Sequence, residues 1–152
     1  MQPESIPASA SLSVAQRPAL AGAVALLASA QLPTEDLSDA HCEHFFFAGT
    51  RDAPTALVGL ELFGSVALLR SLVVSERARS VGAGSALVRH AEGYARERGV
   101  HTIYLLTTTA ETFFQRRGFA RTDRASAPPA IRATREFAGI CPASSAFMSR
   151  TL

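Results

Sequence analysis

The stretch LLRSLVVSERARSVGAGSALVRHAEGYARERGVHTIYLLTTTAETFFQRRGF, residues Leu68–Phe119, decides the fold. It opens with an apolar run, Leu68 to Val74, that ends in β-branched residues and reads as a buried strand. A polar turn, Ser75 to Arg79, follows. Ser80-Val81-Gly82-Ala83-Gly84 then leads into a segment with Leu87, Val88, Ala91, Tyr94 and Ala95 at helical spacing, which Gly99 is placed to stop. Thr102 to Thr107 is a second, partly β-branched run, and Ala110 to Arg117 reads as a short helix ended by Gly118. The order is strand, helix, strand, helix.

Glycines beside a helix N-terminus let backbone approach a ligand closely, and the first-turn N–H groups there point outward with the positive end of the helix dipole behind them. A phosphate or pyrophosphate fits such a junction. Steric need alone also places glycine in a tight turn, so the flanking residues must discriminate. No Lys-Ser/Thr pair follows Gly84, and the first glycine of a G-x-G-x-x-G is missing, so neither the nucleoside-triphosphate loop nor the dinucleotide fingerprint is present.

What the flanks do spell is R-x-x-G-x-G, Arg79-Ser80-Val81-Gly82-Ala83-Gly84, after a strand and before a helix. Downstream comes a small residue, an aromatic pair and Gly-Phe: Ala110, Phe113-Phe114 and Gly118-Phe119. Together these motifs resemble the GNAT acyltransferases, over about Leu57 to Phe119. Within that family, LLTTTAETFFQRRGF is similar to the corresponding segment of N-acetylglutamate synthases. The tail PPAIRATREFAGICPASSAFM resembles a group of GNAT proteins associated with arsenic resistance.

The resemblance implies an α/β fold: a mixed, mostly antiparallel sheet of about six or seven strands with a V-shaped splay, flanked by about four helices. It also implies acetyl-coenzyme A as co-substrate and no metal. Leu72, Val73 and Val74 would pair with the pantetheine arm, and a backbone N–H of Leu72 or Val73 would polarise the thioester. The N–H groups of Val81, Gly82, Ala83, Gly84 and Ser85 would hold the pyrophosphate, with Arg79, Ser80, Thr109, Phe113, Phe114 and Arg116 also lining the cofactor. Thr109 stands where the family often has asparagine. Phe114 stands where it commonly has a tyrosine that protonates the departing thiolate, and phenylalanine has no proton to give. The general acid is therefore another residue or water, or is dispensable. Neither tyrosine of the chain, Tyr94 or Tyr104, is at the motif position.

Charged residues inside strands point to the acceptor side. Glu61 lies between Leu60 and Leu62 and faces opposite to them, toward solvent or the acceptor cleft. It leads the candidates for general base, with a water chain beside it and His41 or His44 behind. Arg70 interrupts LLRSLVV, so it either lies on the cleft side or pairs with a carboxylate. Guanidinium binds carboxylate bidentately, which makes Arg70 a candidate for holding an acidic acceptor, with Arg132 in second line. Glu136 beside Arg135 reads as an ordinary charged surface.

The rest of the chain frames this centre. Its 152 residues, 47% hydrophobic and 18% charged, suit a single domain spanning the whole sequence. A net charge of +2 with interspersed signs favours neither nucleic acid nor membrane. Cys42 and Cys141 form no disulfide framework, so a reducing cytoplasm is the default. Residues 1–13 read as a mobile arm. Pro18 to Ala30 ends in a small-x-small pattern but lacks the basic start of a signal peptide. It is taken as the first helix, with Pro18 at N1 and Leu20, Val24 and Leu27 toward the core. Thr34 caps a short helix after Pro33. His41-Cys42-Glu43-His44 reads as a helix-to-strand junction, since such neighbours on one turn rarely converge on one ion. Strands at His44–Ala48, Thr55–Phe63 and Ser65–Val74 make a meander, Ile131–Phe137 a short helix, and Ala146–Leu152 a closing strand.

Three functions follow. The leading one is an N-acetyltransferase acting on a small amine with acidic groups, an amino acid or an amino-acid-like arsenical. Others are a protein N-acetyltransferase and a non-catalytic acyl-coenzyme-A-binding module, which Phe114 keeps open. A homodimer formed through late strands is an arrangement the family uses.

Overall fold

In the computed structural model, residues 13–152 are described, so the expected arm falls almost wholly outside them. Seven strands form one sheet in the order β1-β2-β3-β4-β5-β7-β6. They are β1 (Ala15–Gln16), β2 (Phe45–Gly49), β3 (Pro54–Phe63), β4 (Val66–Val74), β5 (Thr102–Thr107), β6 (Ala120–Arg121) and β7 (Ala146–Thr151). The β4–β5 pair is parallel, whereas β1–β2, β2–β3, β5–β7 and β6–β7 are antiparallel. The helices are α1 (Leu20–Ser29), α2 (Asp39–Cys42), α3 (Ala83–Glu97), α4 (Glu111–Gln115) and α5 (Pro129–Arg132). The sheet and flanking helices are those of the GNAT fold. Among the described residues, no helix is long and apolar enough to cross a membrane.

The chain divides into two compact units, one running to Leu60 and resuming over Ser71–Gly93, the other comprising Glu61–Arg70 and Tyr94–Leu152. In the first, the run Phe45-Phe46-Phe47 shows how strand periodicity builds two layers. Phe45 and Phe47 join Leu57, Val73 and the α1 residues Ala23 and Leu27 in one cluster. Phe46 turns the other way, its ring 4.9 Å from that of His90 on α3. Each fully buried Leu or Phe here contributes about 1.5–3 kcal/mol. Phe45 pairs across the ladder with Gly59, where a Cβ would overlap the Phe45 ring. Glycine is what lets that ring lie flat on the neighbouring strand.

The second unit has its own cluster, Leu68, Ala127, Ile131 and Phe147, with Phe63, Val66, Tyr104, Leu106 and Phe137 against it. Tyr104 stacks on Phe147 at 5.5 Å, and Phe137 meets the same ring edge-on at 5.2 Å.

Several elements depart from the sequence reading. Ala19, not Arg17, is the N-cap of α1, so Pro18 sits outside the helix. The chain enters through Arg17 at a φ of 69°, and Ala19 N–H donates to the Arg51 carbonyl at 3.0 Å. Gly22, Ala23 and Leu27 are the buried residues of α1, while Leu20 and Val24 are only half-buried. The short helix expected after Thr34 begins instead at Asp39, behind Ser38. The expected helix over Ile131–Phe137 splits into α5 and a separate wide turn, Glu136–Ile140. The two-residue strands β1 and β6 are too short to leave a pattern in the sequence.

Candidate functional site

The first unit carries the glycine junction. After β4 the chain makes a tight 3-10 turn, Glu76–Val81, and then Gly82 adopts a φ of 74°. A Cβ on Gly82 would meet nothing within 4 Å, so the demand for glycine comes from backbone conformation and not from crowding. Helix α3 begins at the next residue, and Ala86 N–H donates to the Gly82 carbonyl at 3.1 Å. The first turn of α3 therefore lies at the positive end of the helix dipole. Arg79 is exposed, and its Nε donates to the Val74 carbonyl at 3.1 Å, tying the turn to the end of β4. Ala83 is fully buried, and Gly84 and Ser85 are half-buried.

Leading into this junction, Ser71 holds a φ of 61° inside β4. A left-handed residue interrupts the pleat, so Leu72, Val73 and Val74 follow a new alternation. Val73 faces the first unit's core, while Leu72 and Val74 are half-buried. The ladder between β4 and β5 spans Val66–Leu68 opposite Thr102–Tyr104, and β4 continues past it to Val74.

The second unit gathers the charged residues. Arg70 donates through Nη1 to Glu61 Oε2 at 2.7 Å, and its Nη2 lies 3.2 Å from Glu136 Oε2. The Arg70 side chain is 0% exposed, Glu136 5% and Glu61 15%. Of the alternatives open for Arg70, pairing with a carboxylate is the one observed. Glu136 was expected on a charged surface and is buried, whereas Arg135 is exposed as expected. Arg132 donates through Nε to the Ala127 carbonyl at 3.0 Å and through Nη2 to that of Ala125. It braces the turn before its own helix.

The aromatic pair divides its labour. Phe114 is buried and meets Phe113 and Phe119 edge-on at 5.1 and 5.5 Å. Phe113 is half-buried beneath the Arg117 guanidinium, 3.9 Å from its centroid, and its carbonyl accepts from Arg117 Nη1 at 3.0 Å. Thr109 and Arg116 are exposed. Thr107, not singled out in the sequence, accepts from Ala110 N–H through Oγ1 at 3.0 Å and shapes the entry to α4.

Of the histidines, His41 has its Nδ1 3.0 Å from the Ser38 hydroxyl, and His44 is half-buried. His41 and Cys42 end α2 and lead to β2, which is the helix-to-strand junction anticipated. Burial, then the charge of Asp39, push the Cys42 thiol up from its ordinary range, against the pull of Arg51. A protonated, buried thiol is a weak nucleophile and a weak metal ligand.

Residues 17–119 match the family model described as Acetyltransferase (GNAT) family. No curated protein matches the chain. Among solved structures, N-acetylglutamate synthase from Neisseria gonorrhoeae, complexed with coenzyme A and L-arginine, is 21% identical with a TM-score of 0.77. That match covers 93% of this chain and 33% of the synthase, so the chain spans about a third of its length. The same synthase with coenzyme A and N-acetyl-glutamate gives 20% identity and a TM-score of 0.76, over 93% of this chain and 35% of that one. A GNAT-family acetyltransferase from Staphylococcus aureus is 16% identical with a TM-score of 0.72, covering 93% of this chain and 99% of its own.

Proposed function

The chain belongs to the acetyltransferase (GNAT) family, and from that premise we propose that it transfers the acetyl group of acetyl-coenzyme A to the amine of a small acidic acceptor. The observation that carries this reading is the junction after β4, where Gly82 turns the chain into α3, a helix N-terminus of the kind that would accept a pyrophosphate. The gonococcal synthase, which shares the fold, is seen with an acidic acetylated amino acid, and this supports an acceptor of the same class.

Acetyl-coenzyme A supplies an activated thioester carbonyl. The chain's own residues would bind and orient it: Leu72, Val73 and Val74 along the pantetheine arm, Val81 to Ser85 around the pyrophosphate, with Arg79 and Ser80 beside them. Thr109, Phe113 and Arg116 would lie toward the rest of the cofactor, while Phe114 supports Phe113 from the core. A backbone N–H at Leu72 or Val73 would stabilise charge growing on the carbonyl oxygen. The neutral amine forms the N–C bond as the C–S bond breaks, and the amine proton passes to a base. Glu61 is the carboxylate of its cluster that keeps the greater exposure, 15% against 5% for Glu136, and so fits that role. Arg70 then acts as the counter-ion of two carboxylates, and an acidic acceptor would have to compete with both for it.

Free-thiol release from acetyl-coenzyme A tests the reading, with amino acids, phosphinic and arsenical glutamate analogues, polyamines and peptides as acceptors. Saturable release with an acidic small amine is the expected outcome, and an arsenical among the active acceptors would give the enzyme a detoxifying role. Release confined to peptides would move the assignment to protein acetylation. Phe114 specifically favours one alternative, a module that binds acyl-coenzyme A without turning it over; coenzyme binding with no thiol release from any acceptor would establish it.

A further inference from the structure

Two half-spent groups meet where the end of β5 adjoins the start of β7. Ala146, the first residue of β7, pairs with Thr107, the last of β5, and Ser145 precedes it. Ser145 is 5% exposed, and its Oγ is buried with no hydrogen-bond partner among the described residues. An orphaned buried hydroxyl costs about 1–3 kcal/mol, so native chains rarely keep one that nothing uses. The carbonyl of the same residue accepts from Arg124 Nη2 at 2.8 Å.

Arg124 is half-buried, and among the described residues that carbonyl is its one hydrogen-bond acceptor. A guanidinium carries five N–H donors in a planar fork. The neighbouring carboxylate, Asp123, accepts from Ala125 N–H at 3.0 Å. The Phe137 ring centroid lies 5.5 Å from the guanidinium carbon, within cation–π reach. Asp123-Arg124 in a polar turn and Ser145 before the last strand gave the sequence no signal, because the β6–β7 register, carried on by Thr122 N–H donating to the Phe147 carbonyl, brings them together.

We propose that Arg124 and the Ser145 hydroxyl form the carboxylate-binding subsite of the acceptor. The guanidinium fork takes the two carboxylate oxygens while Ser145 Oγ–H donates to one of them. Arg70 and Arg132, both already engaged within the chain, leave this task to Arg124. The inference rests on the acetyl-transfer reading only for the acceptor's identity; the anion site stands on its own geometry.

The test is made on the full chain saturated with coenzyme A. Glutarate, which has the carboxylates of glutamate and no amine, is titrated calorimetrically; thiol release is followed with L-glutamate and with 1,5-diaminopentane, which has no carboxylate. Arg124→Gln is expected to weaken glutarate about 10- to 100-fold and to raise the glutamate KM by a similar factor with little change in kcat. Ser145→Ala is expected to weaken both about 3- to 10-fold, with Arg124→Lys between them and coenzyme A affinity unchanged throughout. Glutarate binding that is undetectable in the unmodified chain, or unaltered by Arg124→Gln, overturns the subsite. If Arg124→Gln fails to fold, Ser145→Ala decides, and unaltered glutarate binding there has the same meaning. Glutarate binding lost with Arg124, but no thiol release from any amine, would leave the subsite standing and remove the acetyl-transfer reading.

Discussion

Two arginine–glutamate contacts in the second unit look alike in sequence and differ in every physical respect. Arg70 lies between Glu61 and Glu136 with its side chain 0% exposed, on a strand and out of water. Arg121 grips Glu111 with two donors, Nε at 2.5 Å and Nη2 at 2.9 Å, yet its side chain is 68% exposed. The exposed pair has the better bidentate geometry and the smaller consequence, because water and salt compete for both partners. For the buried cluster, desolvation makes each partner depend on the others, so its effect is to fix one arrangement of β3, β4 and the Glu136 turn more than to add net stability.

Removing Arg70 should break this contrast most severely. Arg70→Met leaves the buried Glu136 and the half-buried Glu61 without their cation and is expected to cost about 3–5 kcal/mol, read as a fall in the urea midpoint. Should the variant unfold with nearly unchanged stability, the cluster is not desolvated in the way its burial indicates. Glu136→Gln comes next. An amide still accepts from Nη2, so a loss of about 1–2 kcal/mol is expected by the same titration. At the other end of the scale, Arg121→Ala should move the thermal midpoint only to the limit of calorimetric detection.

Acid and salt sharpen the comparison further. The hydrogen bond from Arg121, then its charge, hold the Glu111 carboxyl below its ordinary value of 4.5. A carboxyl lowered in the folded state stabilises fully above that value and loses its contribution as pH falls through the folded one. The small difference between Arg121→Ala and the unmodified chain should therefore be present at pH 7, begin to fall near 4.5 and be lost as the pH passes through the lower folded value. It should also vanish in about 1 M salt, where the screening length is about 3 Å. The Arg70→Met difference should survive that salt concentration, and its disappearance there would mean the two clusters are equally wet.

The same contrast explains what the sequence could convey. Strand and helix periodicity, the glycine at 82 and the arginine inside an apolar strand are local facts, and each led to the right element or the right pair of alternatives. Glu136 escaped because it adjoins Arg135. Neighbours in a helical turn sit about 100° apart around the axis, so one faces water and the other the core, while a linear reading joins them as a surface pair. Arg124 and Ser145 escaped because strand register, a long-range property, brings them together. Phe114 was legible as a missing phenol but not as a core ring between Phe113 and Phe119.

Ser71 shows where the chain has least freedom to drift. Its φ of 61° lies in the middle of an apolar strand, where valine and isoleucine are ordinarily the best residues. At this position they would be the worst, since branching at Cβ opposes a left-handed backbone. A saturation library at position 71 should thus invert the usual strand ranking. Glycine, asparagine and serine would survive selection, and the strongest strand formers would be the first to disappear.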